Sequence, residues 1–139
     1  MAPVLAEVRA RLGAYLYGVD VSGLEETVLA VCRERGLTLA AAESCTGGLI
    51  AKRLTDIPGA SQVFLGGVVS YTNHVKQQVL HVPENLLARC GAVSAEVARA
   101  MALGVRVLTG ADLAVSVPMG TTGETRWAPC SWGFPRRRA

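Results

Sequence analysis

Between a helix stop at Gly36 and the polar sextet Glu43-Ser44-Cys45-Thr46-Gly47-Gly48 lies Leu37-Thr38-Leu39-Ala40-Ala41-Ala42, six residues without a charge. Leu49 to Thr55 then reads as a helix. A strand apolar on both faces must be covered by helices on both sides, so this order constrains the chain to a layered α/β fold. The sextet becomes the junction where a strand feeds a helix. Its two glycines allow a sharp turn with close backbone approach, and its serine, cysteine and threonine put reactive side chains beside unpaired amide groups. Such a turn can hold an anion, or a nucleophile with its oxyanion hole.

The rest of the chain repeats the alternation. Val4, Leu5, Val8 and Leu12 recur at helical spacing up to Gly13, and a loop from Tyr15 to Ser22 comes next. Ser22 is placed to cap a helix from Leu24 to Arg35, with Glu25 and Glu26 in its first turn and Arg33 and Arg35 in its last. Pro58-Gly59 marks a turn, and Val63 to Tyr71 is rich in β-branched and aromatic residues, a buried strand. Its pair Gly66-Gly67 predicts a bulge or a close backbone approach. Thr72 to Gln78 reads as a loop entering a short helix, and Pro83 opens another at 84–89. Ser94 caps a helix over 95–108 that Gly110 stops, and 113–117 is a final buried strand. The expected architecture is a three-layer α/β/α sandwich with a mostly parallel sheet. Residues 1–22 form a helix and linker, 23–117 the domain and 118–139 a tail.

At 139 residues, half of them hydrophobic, the chain is sized for one compact core. Its net charge of +3 belongs to the tail: residues 1–118 carry ten basic and ten acidic side chains, and the remainder carries four arginines against Glu124. A neutral body with few aromatic residues argues against a nucleic-acid partner. The four cysteines, at 32, 45, 90 and 130, form no CxxC pair and no metal-type spacing with His74 or His81, so neither a zinc site nor another metal is expected. No apolar run approaches the roughly 20 residues of a membrane span, and 1–11 lacks a signal-peptide core. A cytoplasmic protein without a membrane association is expected.

In an open parallel sheet, ligands gather beyond the carboxyl ends of the strands, where Ser44, Tyr71 and the segment after Val117 would meet. Ser44 as a nucleophile needs a base, and Lys76 can serve if burial lowers its pKa, with Tyr71 relaying a proton. Amides around Cys45 to Gly47 can receive the oxyanion. The plainer reading makes Ser44 and Thr46 helix caps, Lys76 a solvated charge and Tyr71 a core residue with its hydroxyl at the rim. Cys45 reads as a small buried hydrophobe, Glu43 as a group that orients a neighbour or pairs with a surface base, and His74 as exposed loop.

Four ordered motifs narrow these alternatives: Ala42-Glu43-Ser44-Cys45-Thr46-Gly47-Gly48, Pro58-Gly59-Ala60-Ser61, Phe64-Leu65-Gly66-Gly67-Val68-Val69-Ser70-Tyr71 and Gly91-Ala92-Val93-Ser94. Together they resemble the C-terminal domain of the CinA family, the nicotinamide-nucleotide amidases. The resemblance implies hydrolysis of the carboxamide of nicotinamide mononucleotide to nicotinic acid mononucleotide and ammonia, without a cofactor or metal. It implies Ser44 as nucleophile, Lys76 and Tyr71 as its proton-transfer partners, and Cys45, Thr46, Gly47 and Gly48 as the substrate-binding turn. Residues 11–18 resemble the segment that joins this domain to an N-terminal one in longer members.

After Val117 the family pattern gives way to Pro118-Met119-Gly120, and 126–133 shows neither strand nor helix period. Suitable codons for that stretch, read in another frame, spell a phrase similar to the family's next strand. An out-of-frame tail and a sheet incomplete at its C-terminal end are therefore expected, with exposed apolar faces that favour a homo-oligomer or poor solubility. Lost substrate contacts then imply weak turnover. The alternative is a catalytically inactive nucleotide-binding or structural remnant that holds phosphate at Thr46 to Gly48.

Overall fold

The computed structural model describes residues 2–21 and 23–118. Its helices are α1 (Ala2–Leu12), α2 (Leu24–Glu34), α3 (Leu49–Thr55), α4 (Asn73–Gln78), α5 (Glu84–Cys90) and α6 (Ala95–Thr109), and its strands are β1 (Leu39–Glu43), β2 (Phe64–Val69) and β3 (Leu113–Val117). The three strands pair in parallel in the order β2-β1-β3. Helices cover both faces, so the fold is an α/β/α sandwich. Ser22 and the tail from Met119 lie outside the described residues. The residue before α2 is Gly23, in extended conformation and without a side-chain cap.

The central strand is almost all alanine, and this sets the layer spacing. Leu39 to Ala42 are buried, and their small side chains alternate between two cores. Ala40 and Ala42 face Leu87, Val97, Met101 and Val105 of α5 and α6, together with Ala114 of β3. Leu39 and Ala41 face Leu29 and Cys32 of α2, Leu54 of α3 and Phe64 of β2. With so little bulk from the sheet, the helices supply the apolar volume. The packing over α6 is correspondingly close: a Cβ built on Gly104 would lie 2.1 Å from the carbonyl oxygen of Leu80.

The two ladders differ. Between β1 and β3 the register runs unbroken from Leu39↔Leu113 to Glu43↔Val117. Between β1 and β2 it slips, with Leu39 opposite Phe64 but Ala40 opposite Gly66, so Leu65 is an extra residue. This is the irregularity that the glycine pair predicted, and the close approach is present too: a Cβ on Gly67 would lie 3.0 Å from the Ala41 carbonyl. The bulge changes which way the strand faces. Phe64 and Val68 are four residues apart, a spacing that puts both on one face of a regular strand. Here Phe64 packs with α2 and α3 while Val68 packs toward α5 and α6.

Strand starts and helix ends obey local chemistry. β1 begins two residues later than Leu37 because the Leu37 amide closes on Cys32 O at 2.9 Å. Thr38 is held by Asp112, whose carboxylate accepts from the Thr38 amide at 2.9 Å and from its hydroxyl at 2.8 Å. Ser94 caps α6 by accepting from the Val97 amide at 3.2 Å. Gly110, with φ of 72°, ends that helix as expected. Among exposed residues, Leu103, Val107 and Leu108 of α6 and Val4, Val8 and Leu12 of α1 are apolar.

Candidate active site

β1 ends at Glu43, and its continuation builds the site. The Ser44 amide donates to Val117 O at 3.0 Å, extending the β1–β3 ladder by one residue. The Ser70 amide donates to Glu43 O at 2.7 Å and the Ser70 hydroxyl to the same oxygen at 3.3 Å, which closes the β1–β2 side. The chain then turns through 45–48. Gly47 and Gly48 have φ of 61° and 100°, a left-handed region where a side chain would be strained, and this reverses the chain into α3.

Lys76 reaches this turn from α4. Thr72 caps α4 by accepting from the Val75 amide at 3.3 Å, and this short helix directs Lys76 inward. The Lys76 side chain is buried, with 1% exposure, and its Nζ donates to Ser44 Oγ at 3.2 Å and to Ser70 O at 2.8 Å. Burial pushes its pKa below the ordinary lysine value, because removal from water disfavours the ammonium form. Ser44 is itself 2% exposed. A serine hydroxyl and a lysine amine thus meet in an enclosed space at the carboxyl end of the central strand.

The other expected residues divide. Tyr71 is 68% exposed, and no hydrogen bond joins it to Ser44 or Lys76. In this state the pair is completed instead by the backbone of the preceding residue, Ser70. Within the turn, the Gly47 amide is taken by Ser44 O at 3.2 Å and the Leu49 amide by Thr46 O at 3.1 Å. Among the described residues the amides of Cys45, Thr46 and Gly48 find no acceptor. The Thr46 hydroxyl oxygen is buried and has no hydrogen-bond partner.

Two groups carry structural roles that their sequence positions did not reveal. Ser70 anchors Lys76 through a main-chain carbonyl, a role with no side-chain signature. Glu43 is fully buried at the end of β1, and its two carboxylate oxygens accept from the amides of Ile50 and Ala51, each at 2.9 Å. The Ile50 and Ala51 amides at the start of α3 are therefore taken by a carboxylate of the chain itself. Neither a surface base nor a neighbouring side chain is its partner. A signal did exist: an acidic residue at a strand end, a few positions before a helix start, is favourably placed for the amides there.

Elsewhere among the described residues, no group of three or more histidine, cysteine, aspartate or glutamate side chains is gathered to hold a metal. None of their helices is long and apolar enough to cross a membrane.

A parallel α/β/α sheet with a serine–lysine contact beyond its central strand defines a class of fold and a place for chemistry. Comparison with known proteins supplies the family. The family model described as CinA C-terminal domain matches residues 21–129, and the chain belongs to that family. The match runs past Val117, where the sequence pattern led us to expect the likeness to end. A CinA-like protein of Desulfovibrio desulfuricans is 53% identical over 129 residues, covering 91% of this chain and 30% of that protein. A putative competence-damage inducible protein of Symbiobacterium thermophilum is also 53% identical over 129 residues, covering 89% of the chain and 30% of its own length. The chain thus spans about 30% of the length of these relatives.

Solved structures agree. The competence/damage inducible protein CihA from Agrobacterium tumefaciens superposes with a TM-score of 0.69 at 39% identity, covering 78% of this chain and 69% of that one. The competence damage-inducible protein A of Klebsiella pneumoniae gives 0.73 at 33% identity, covering 80% and 73%.

Proposed function

We propose that this domain is an amidohydrolase that deamidates nicotinamide mononucleotide to nicotinic acid mononucleotide and ammonia, with Ser44 as nucleophile and Lys76 as its base. The carrying observation is the 3.2 Å contact between Lys76 Nζ and Ser44 Oγ in a buried setting. A lysine is useful as a base only when its free amine is accessible near neutral pH, and burial moves Lys76 in that direction. Membership of the CinA family and the likeness of its motifs to the family's nucleotide amidases support the choice of substrate.

In this reading the neutral Lys76 amine donates one N–H to Ser70 O, and its lone pair faces the Ser44 hydroxyl. Lys76 takes the hydroxyl proton as Oγ forms a bond to the carboxamide carbon. The carbonyl oxygen becomes an oxyanion, received by the free amides of the 45–48 turn. Collapse breaks the C–N bond, and the proton held on Lys76 passes to the departing nitrogen, releasing ammonia. Water then attacks the acyl-Ser44 ester with Lys76 again as base, giving the carboxylic acid and restoring the hydroxyl. Tyr71, at the rim, reaches this centre only when substrate draws it in. Because Ser44 is enclosed, substrate entry requires the turn or the Tyr71 segment to open.

The test is ammonia release from nicotinamide mononucleotide by the native chain and by Ser44→Ala. Loss of release in the variant, with folding retained, is expected; equal rates reject the nucleophile. The alternative, a remnant that holds phosphate at Thr46 to Gly48 without catalysis, predicts ligand-induced stabilisation with no ammonia release.

A further inference from the structure

The buried carboxylate of Glu43 is the least expected group at this site, and the amidase reading above gives it no task. It is connected in two directions. Through its carbonyl it accepts from both the amide and the hydroxyl of Ser70, whose own carbonyl holds Lys76 Nζ. Through its side chain it accepts from two successive amides of α3, one on each oxygen. The turn at 45–48 is strung between these attachments. Its two ends are fixed to one residue, the nucleophile comes directly after that residue, and the donors that find no partner among the described residues are the amides of Cys45, Thr46 and Gly48 and the Thr46 hydroxyl.

A buried hydroxyl without a partner, such as that of Thr46, is costly and rare, and a free loop would relax to satisfy it. A turn clamped at both ends cannot relax in that way. We propose that Glu43 is a positioning residue whose carboxylate clamp keeps the 45–48 turn as a preformed set of donors for the substrate's carbonyl oxygen, with the Thr46 hydroxyl as the side-chain member of that set. The inference rests on the amidase reading. It assigns the clamp to catalysis by preorganisation, since donors held in place before reaction need no reorganisation when charge develops.

Two variants test it by opposite effects on stability. Thr46→Val removes a buried hydroxyl that has no partner, so the melting temperature holds or rises, while kcat for ammonia release falls about 10-fold or more. A purely structural threonine would not separate the two in that direction. Glu43→Gln offers one acceptor where two are needed, so amide hydrogen exchange at Ile50 and Ala51 accelerates. For it kcat falls about 10- to 100-fold, with KM changed less than about threefold and the rising limb of the pH–rate profile unmoved, because the carbonyl link to Ser70 and Lys76 is intact. Wild-type kcat in folded Thr46→Val overturns the assignment of the hydroxyl. Wild-type kcat in Glu43→Gln with accelerated exchange overturns the clamp; if that variant does not fold, Glu43→Asp, which keeps the charge but is one methylene shorter, is measured in the same way. Ser44→Ala separates these failures from that of the parent reading: release that does not depend on Ser44 rejects the amidase itself.

Discussion

The two ladders flanking β1 share a strand and a direction, yet only one is irregular. On the β3 side the pairing is continuous and is pinned at its start by the Thr38–Asp112 bonds and beyond its end by Ser44 N to Val117 O. On the β2 side an extra residue at Leu65 breaks the register, and it is this strand that leads into Ser70, Tyr71 and Lys76. The regular side supplies a fixed reference for Ser44. The bulged side sets the phase that brings Ser70 O and Lys76 to it. A bulge near a site re-aims the side chains downstream of it, and Lys76 is among those downstream of Leu65.

Deleting Leu65 should break that contrast most severely. With the extra residue gone, either Ser70 slips by one position, about 3.3 Å, or the side chains beyond Phe64 exchange faces. Loss of ammonia release and a large fall in melting temperature are expected; a stable, active deletion variant would show that the bulge carries no phase information. Next in size is Lys76→Met, which should lower kcat about 100- to 10,000-fold while leaving stability equal or higher, because an apolar chain replaces a buried amine.

The same variant isolates the effect of pH. The folded-state pKa of Lys76 lies below its unfolded value, so between the two the unfolded chain binds more protons and native stability rises with pH. Below the folded pKa the burial penalty is present in full. The catalytic rate should likewise rise as pH increases through the folded pKa and then level off. Denaturant titrations across alkaline pH should show the stability slope in the native chain and its reduction in Lys76→Met.

Smaller effects separate the two sides directly. Gly67→Ala, with its new methyl 3.0 Å from Ala41 O, should cost about 1–3 kcal/mol and reduce kcat, since it pushes on the ladder that carries Ser70. Asp112→Ala removes two bonds from the regular side and should cost about 1–2 kcal/mol with kcat per folded molecule unchanged. Equal catalytic damage from both would dissolve the distinction between the ladders.

Much of this was legible in the chain. The alanine-rich run, the glycine turn and the caps at Ser94 and Gly110 announce strand, junction and helix by local rules, and the glycine pair at 66–67 announced irregularity. What local rules do not reach is partnership across space. The choice of Ser44 with Lys76 rested on residue type and on the carboxyl-end rule for parallel sheets, while their contact depends on register after the bulge. Ser70 was passed over because its contribution is a carbonyl, which every residue possesses. Glu43 was misread as a group for a neighbour or a surface base because its partners are amides seven and eight positions on. Tyr71 has the right chemistry, but its side chain lies at the exposed rim.

The alanine strand has a consequence for how the molecule can be altered. With methyl groups as its only bulk across most of its length, the sheet acts as a thin partition between two separately filled compartments, one built from Leu29, Leu54 and Phe64 and the other from Leu87, Met101 and Val105. Repacking one compartment gives the other little to feel, so volume changes made on opposite sides should sum in stability, whereas two made within one compartment should not. The serine and the lysine meet at the end of that partition, where the compartments cease to be separate.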